Sequence, residues 1–152
     1  MNIHWELKKF EELSPYNLYQ IHQLRNAVFV VEQNCVFQDA DDKDQLSCHF
    51  SGKNNEGVLV AYARIIPPGV IYPEPSIGRV VTLPSMRGKG LGKELMKLSI
   101  QQVMHLYGPL PIKIGAQLYL KAFYTSLGFQ QASTIYIEDG IEHIEMLRAT
   151  AI

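Results

Sequence analysis

Three glycines on alternate positions, Gly88, Gly90 and Gly92, alternate with Lys89 and Leu91 between Arg87 and Lys93 in the stretch RGKGLGK. Glycines at such positions leave backbone N–H groups open to close approach by a ligand. Ahead of the stretch, Ile77, Val80, Val81 and Leu83 have the apolar, partly β-branched character of a buried strand. Pro84 stops that strand, because proline cannot donate to a ladder. After the glycines, apolar residues recur at helical spacing as far as Tyr107. The turn therefore opens a helix, and a helix N-terminus attracts anions. Arg87, Lys89 and Lys93 add positive charge. The chemistry of this combination is that of a cradle for a phosphate or pyrophosphate.

Two familiar cradles do not fit. A Walker A loop needs Gly-Lys followed by Ser or Thr to hold magnesium, whereas Gly92-Lys93 is followed by Glu94 and Gly88-Lys89 by Gly90. A dinucleotide fingerprint needs Gly-x-Gly-x-x-Gly and an acidic residue about 20 positions on. Neither is present. What remains is Arg-x-x-Gly-x-Gly, made by Arg87, Gly90 and Gly92.

The elements that must hold this turn can be read in order. Ile3, Trp5 and Leu7 alternate with polar residues as in a strand. Ser14-Pro15 starts a helix, with serine as cap and proline in its first turn. Leu18, Ile21, Leu24 and Val28 follow at helical spacing, and the apolar run Phe29 to Val31 predicts contact with protein on more than one side. Gln38 to Gln45 is acidic and without period, so it reads as a loop with a solvated face, or as an attractor for a cationic substrate. Ser47–Ser51 and Val58–Ile66 are strands joined by the turn sequence GKNNEG. On the helix after the glycine turn, Leu91, Leu95, Leu98 and Leu106 form one stripe predicted to pack on the sheet; Met96, Ile100 and Val103 form a second face. Gly108-Pro109 closes that helix. Ile112 and Ile114 start a strand, which the right-handed crossover rule places parallel to Ile77–Leu83 in one sheet. Gln117 to Ser126 reads as a helix stopped by Gly128. Phe129–Ile137 and Ile141–Leu147 are strands joined by the hairpin signal Glu138-Asp139-Gly140.

The totals bound the class. A chain of 152 residues suits one domain, residues 1–152, and 47% hydrophobic residues fit a globular protein. Fourteen basic and fifteen acidic residues do not make a nucleic-acid binder, so the basic turn is a local feature. Cys35 and Cys48 do not make a disulfide framework, no Cys/His spacing suggests zinc or another metal, and two reduced thiols suit a reducing compartment. No run approaches the ~18 apolar residues of a membrane span and no signal-peptide core opens the chain. A cytoplasmic protein is the expectation.

The Arg87-x-x-Gly90-x-Gly92 pattern, in this setting, resembles the pyrophosphate loop of the GNAT family of N-acetyltransferases. The resemblance runs along nearly the whole chain. LRNAVFVVEQ (Leu24–Gln33), GAQ (Gly115–Gln117), FYTSLGF (Phe123–Phe129) and EDGIEHI (Glu138–Ile144) are similar to the ElaA-like branch. It implies a single α/β domain with a central mixed, splayed β-sheet flanked by helices. Acetyl-CoA would lie in the gap between Ile77–Leu83 and Lys113–Ala116. Backbone groups of Val81, Thr82 and Leu83 would meet the pantetheine arm, and Arg87, Gly88, Lys89, Gly90, Leu91, Gly92 and Lys93 the pyrophosphate.

The resemblance further implies direct transfer of an acetyl group to a primary amine of a small molecule or peptide. Tyr124 stands where the family places the acid that protonates the departing thiolate; the structural alternative is a packed tyrosine. Glu32, Asp39, Asp44, His49 and His143 all qualify by chemistry as the base, with Glu32 and His143 positioned to border the acceptor cleft, and a water chain could replace any of them. Arg64 and Arg79, in strands, need partners or line the cleft. Two other functions share the cradle: a non-catalytic acyl-CoA-binding module and a nucleotide-binding domain. A homodimer is left open, and no nucleic-acid or membrane partner is expected.

Overall fold

The computed structural model describes residues 2–150; Met1, Ala151 and Ile152 of the expected 1–152 domain lie outside the described residues. Strand β1 (His4–Lys9) leads into helix α1 (Pro15–Arg25). Ser14 caps α1 by accepting from the Asn17 amide at 3.1 Å, and Pro15 fills the first turn, as their types require. The helix continues as a π-helical stretch, Asn26–Glu32. Its i→i+5 bonds, from the amides of Gln33 to Val28 and Cys35 to Val30, rotate the apolar run, so Val28 is buried while Val31 is 74% exposed. The expected double-sided burial of Phe29–Val31 is not met.

Strands β2 (Cys48–Lys53), β3 (Leu59–Ile66) and β4 (Ser76–Thr82) complete an antiparallel sheet in the order β1-β2-β3-β4. Every residue of β3 is buried, which explains its unbroken apolar run. Tyr62 faces a cluster with Ile21, Leu24 and Val28 of the first helical segment. Ala61, Ala63 and Ile65 point the other way, toward helix α2 (Leu91–Tyr107). The sheet is thus covered on both faces. The buried stripe of α2 is Leu91, Leu95, Met96, Ser99, Ile100 and Val103, while Leu98 and Leu106 are only half-buried. Leu91 and Leu95 of the expected stripe are buried as predicted, and the covered face continues through Met96, Ile100 and Val103 rather than through Leu98 and Leu106. Gly108, at φ 85°, ends α2 as expected.

Beyond α2 lies β5 (Ile112–Gln117), then a 3₁₀ turn Leu118–Leu120 and a short helix α3 (Lys121–Thr125). The expected helix from Gln117 is therefore two pieces. The expected strand Phe129–Ile137 is also two, β6 (Phe129–Gln131) and β7 (Tyr136–Glu138), both paired to β8 (Ile141–Arg148). Asp139 and Gly140 have φ 51° and 76°, the two positive values a tight primed hairpin turn needs. Strand β5 pairs with β8, not with β4. Between β4 and β5 there is one backbone bond, from the Lys113 amide to the Pro75 carbonyl at 3.1 Å. The crossover joins two sheets rather than one ladder, and the free edges of β4 and β5 diverge from that bond.

Gln38, Ala40, Asp42 and Gln45 of the acidic loop are exposed as expected, but three of its carboxylates are held inward. Asp39 and Asp44 are buried, and with Asp41 they bind three arginines from three different elements. Arg25 of α1, fully buried, donates to Asp39 at 2.7 Å and Asp44 at 2.8 Å. Arg64 of β3 donates to Asp41 at 2.7 and 2.9 Å and to Asp44 at 2.8 Å. Arg79 of β4, at φ 49° in a bulge opposite Ala63, donates to Asp39 at 2.8 Å. Burial alone would raise the Asp44 carboxyl, but the Arg25 and Arg64 bonds outweigh it and hold it below the usual range. Its neighbour His49 is structural: Nε2 donates to the Asp44 carbonyl at 2.9 Å and Nδ1 accepts from Tyr62 at 2.7 Å, while burial pushes the imidazole toward its neutral form. Asp44→Ala would remove the carboxylate that Arg25 and Arg64 share and leave three arginines on two aspartates. Chemical denaturation is expected to register a loss of about 3–5 kcal/mol; a change under about 1 kcal/mol would mean that the network contributes little.

Candidate active site

A cavity of about 850 Å³ occupies the divergence between β4 and β5. Its walls come from the π-helical stretch, the acidic loop, β4, β5, α3 and the β7–β8 hairpin. Val81, Thr82, Arg87, Gly92, Glu32, Tyr124 and His143, all singled out in the sequence, line it. Leu83, Gly88, Lys89, Gly90, Leu91 and Lys93 flank it without lining it.

At the glycine turn, Gly88 and Gly90 have φ 80° and 77°, left-handed conformations that favour glycine. A Cβ built on either meets nothing within 4 Å, so both face open space. No side chain caps α2. Among the described residues, the amides from Gly88 to Lys93 donate to no protein acceptor; the first to do so is Glu94, to the Gly90 carbonyl at 3.1 Å. Such a run of unpaired donors at a helix start fits a diphosphate.

On β4, the Leu83 amide already donates to the Val60 carbonyl at 2.8 Å. Antiparallel alternation then turns the N–H and carbonyl of Thr82 toward the free edge. Of the three expected pantetheine partners, Thr82 therefore has backbone groups to offer, whereas the amide of Leu83 is engaged in the sheet.

Tyr124 is 7% exposed, with its ring edge-on to Phe123 and Phe129. Burial, followed by the nearby Tyr119, pushes its phenol up to about 12. Its hydroxyl has no hydrogen-bond partner among the described residues. It is held as a neutral acid, able to give a proton and reluctant to lose one to water.

The two expected bases differ. Glu32 receives both Arg87 guanidinium nitrogens, at 2.6 and 2.8 Å, and those bonds hold its carboxyl below the usual range. His143, 7% exposed, donates from Nδ1 to the Ile141 carbonyl at 2.7 Å. A carbonyl can only accept, so the neutral ring carries its proton on Nδ1 and its lone pair on Nε2. Asp39 and Asp44 are committed to arginines, and His49 to Tyr62 and a carbonyl.

Among the lining residues, Tyr72 and Tyr136 carried no local signal in the sequence. Gln117, His143 and Tyr136 are directly opposite one another on β5, β8 and β7, and so share one face. The row becomes visible only once the register is known. Gln33 and Gln117 exchange amide bonds at 3.1 and 3.4 Å, tying the end of the π-helical stretch to the end of β5. Above Gly115 the hydroxyls of Tyr72 and Tyr136 would each lie 3.1 Å from an added Cβ. Glycine there admits both phenols.

A diverging strand pair with free donors at its mouth is the architecture of a coenzyme-A-dependent acyltransferase, and comparison with known proteins agrees. Residues 25–149 match the acetyltransferase (GNAT) domain. Protein ElaA of Escherichia coli is 43% identical over 149 residues, covering 96% of either chain. Its crystal structure has a TM-score of 0.90 at 41% identity, over 97% of this chain and 99% of that one. The crystal structure of an acyl-CoA N-acyltransferase from Pseudomonas aeruginosa has a TM-score of 0.92 at 37% identity, over 97% and 100%. The chain belongs to the GNAT acetyltransferase family, whose chemistry is acyl transfer from coenzyme A. Within it the chain falls in the ElaA-like branch.

Proposed function

We propose that the protein is an acetyl-CoA-dependent N-acetyltransferase acting on a primary amine in the cytoplasm. The observation that carries this reading is the run of amides from Gly88 to Lys93 that have no partner among the described residues, beside a cavity that Tyr124 lines. The amides take the diphosphate, with Lys89 and Lys93 adding charge. Thr82 takes the pantetheine arm along the free edge of β4, which leads the thioester into the cavity.

The chemistry asks two things of the protein. An amine near pKa ~10 is mostly protonated at neutral pH and must lose a proton before it attacks. Nε2 of His143 is the base that receives it. The nitrogen then bonds to the acyl carbon, the carbon–sulfur bond breaks, the departing thiolate takes the Tyr124 proton, and the second proton of the nitrogen returns through solvent to the phenolate. Glu32 serves as the fixed partner of Arg87 and keeps the first residue of the cradle in place.

The test is release of free thiol from acetyl-CoA across an amine panel. Release that depends on amine supports transfer; binding of acetyl-CoA without any amine-dependent release would reduce the protein to a carrier of acyl-CoA. His143→Gln should lower kcat by about 100-fold and leave the affinity for acetyl-CoA intact. Unchanged turnover in that variant would remove His143 from the mechanism and leave the task to water.

A further inference from the structure

Pairing off the charges of the cavity leaves them distributed unevenly. Arg87 is taken by Glu32, Arg64 by Asp41 and Asp44, and Arg79 by Asp39. Lys43 donates to the Asp41 carbonyl at 3.5 Å, on the side of Arg64 and Arg79. Among the described residues that line the cavity, Lys43, Glu138 and Asp139 have no Lys, Arg, Asp or Glu side-chain partner, and neither have Lys89 and Lys93 beside it. Lys89 and Lys93 stand at the cradle. Glu138 and Asp139 stand at the opposite element, the β7–β8 hairpin, and both line the cavity. One end is therefore made for an anion and the other for a cation.

The hairpin end is a built surface. The primed turn fixes Asp139, whose carbonyl also accepts from the Cys35 thiol at 3.3 Å. Tyr136 stacks on His143 at 5.8 Å between ring centres. His143, nine-tenths buried, presents an Nε2 with no hydrogen-bond partner, 3.7 Å from the Glu138 carboxylate. A nitrogen lone pair, an aromatic ring and two carboxylates thus follow one another from the cavity to its rim.

Resting on the transferase reading above, we infer that the preferred acceptor is an amine carrying a second positive charge, such as an α,ω-diamine. Its reacting nitrogen meets His143, and its distal ammonium leaves over Tyr136 to Glu138 and Asp139. Rings and carboxylates together recognise an ammonium by cation–π attraction and charge, each contribution small at an exposed rim.

The experiment compares kcat/KM for α,ω-diamines with that for ω-amino alcohols of the same chain lengths. The diamines should be favoured by roughly tenfold. In the double variant Glu138→Gln, Asp139→Asn that ratio should fall toward one. Asn suits the left-handed turn position as well as Asp does, so the hairpin survives. Equal use of amino alcohols and diamines, or a ratio that survives the double variant, overturns this inference and leaves the transferase reading standing. Acetyl-CoA binding with no amine turned over at all removes both.

Discussion

A Gly90→Asp protein is expected to bind acetyl-CoA at least 100-fold more weakly than the parent while losing no more than about 1–2 kcal/mol of stability. The two halves of that result have separate causes. Gly90 sits at φ 77°, and an added Cβ meets nothing within 4 Å. Asp and Asn are the residues that best tolerate this conformation, so the fold accepts either. An aspartate just ahead of α2 also interacts favourably with the helix dipole. For the ligand the same carboxylate lies against a diphosphate, and opposed like charges cost several kcal/mol. About 3 kcal/mol already gives the 100-fold loss. Gly90→Asn has the same shape without the charge and should stay within roughly tenfold of the parent. Titration calorimetry on the three proteins separates shape from charge. Parental affinity in the aspartate variant would mean that the amides beginning α2 do not hold the diphosphate.

The contrast between this turn and the rest of the site explains what could be read in advance. The turn is local: its glycines, its basic residues and its flanking strand and helix all fall within one short stretch, so its place between β4 and α2 could be read from type and spacing. The same holds for the cap at Ser14 and for the Asp139-Gly140 turn. What depends on register was not legible. Gln117, His143 and Tyr136 become one row only through pairing of β5, β8 and β7, and nothing in their local sequence says so. The acidic loop misled for a related reason. A run such as QDADDKDQ looks solvated when its partners are unseen. Those partners, Arg25, Arg64 and Arg79, are scattered over a helix and two strands, and they bury two of the loop's carboxylates. On α2 the stripe was legible at Leu91 and Leu95, and the covering sheet then selects Met96, Ile100 and Val103 over Leu98 and Leu106.

Tyr124→Phe should lower kcat by about 100-fold with acetyl-CoA affinity and melting temperature unchanged. The ring packs edge-on between Phe123 and Phe129, and phenylalanine preserves both contacts. The hydroxyl has no protein partner among the described residues, so its removal leaves no buried group unsatisfied. A hydroxyl that contributes nothing to the packed core and lies at the cavity is available for chemistry. Its elevated pKa fixes the direction of that chemistry. Held near 12, the phenol stays protonated while an amine near pKa ~10 loses its proton. Activity should therefore rise with pH as the amine loses its proton, with no fall attributable to Tyr124 until strongly alkaline solution. A base at this position would have needed its pKa lowered, and burial works against that. Full turnover in Tyr124→Phe would hand protonation of the thiolate to water and leave the tyrosine as packing alone. If the variant loses acetyl-CoA affinity and turnover in parallel, the hydroxyl binds the cofactor rather than serving as the acid.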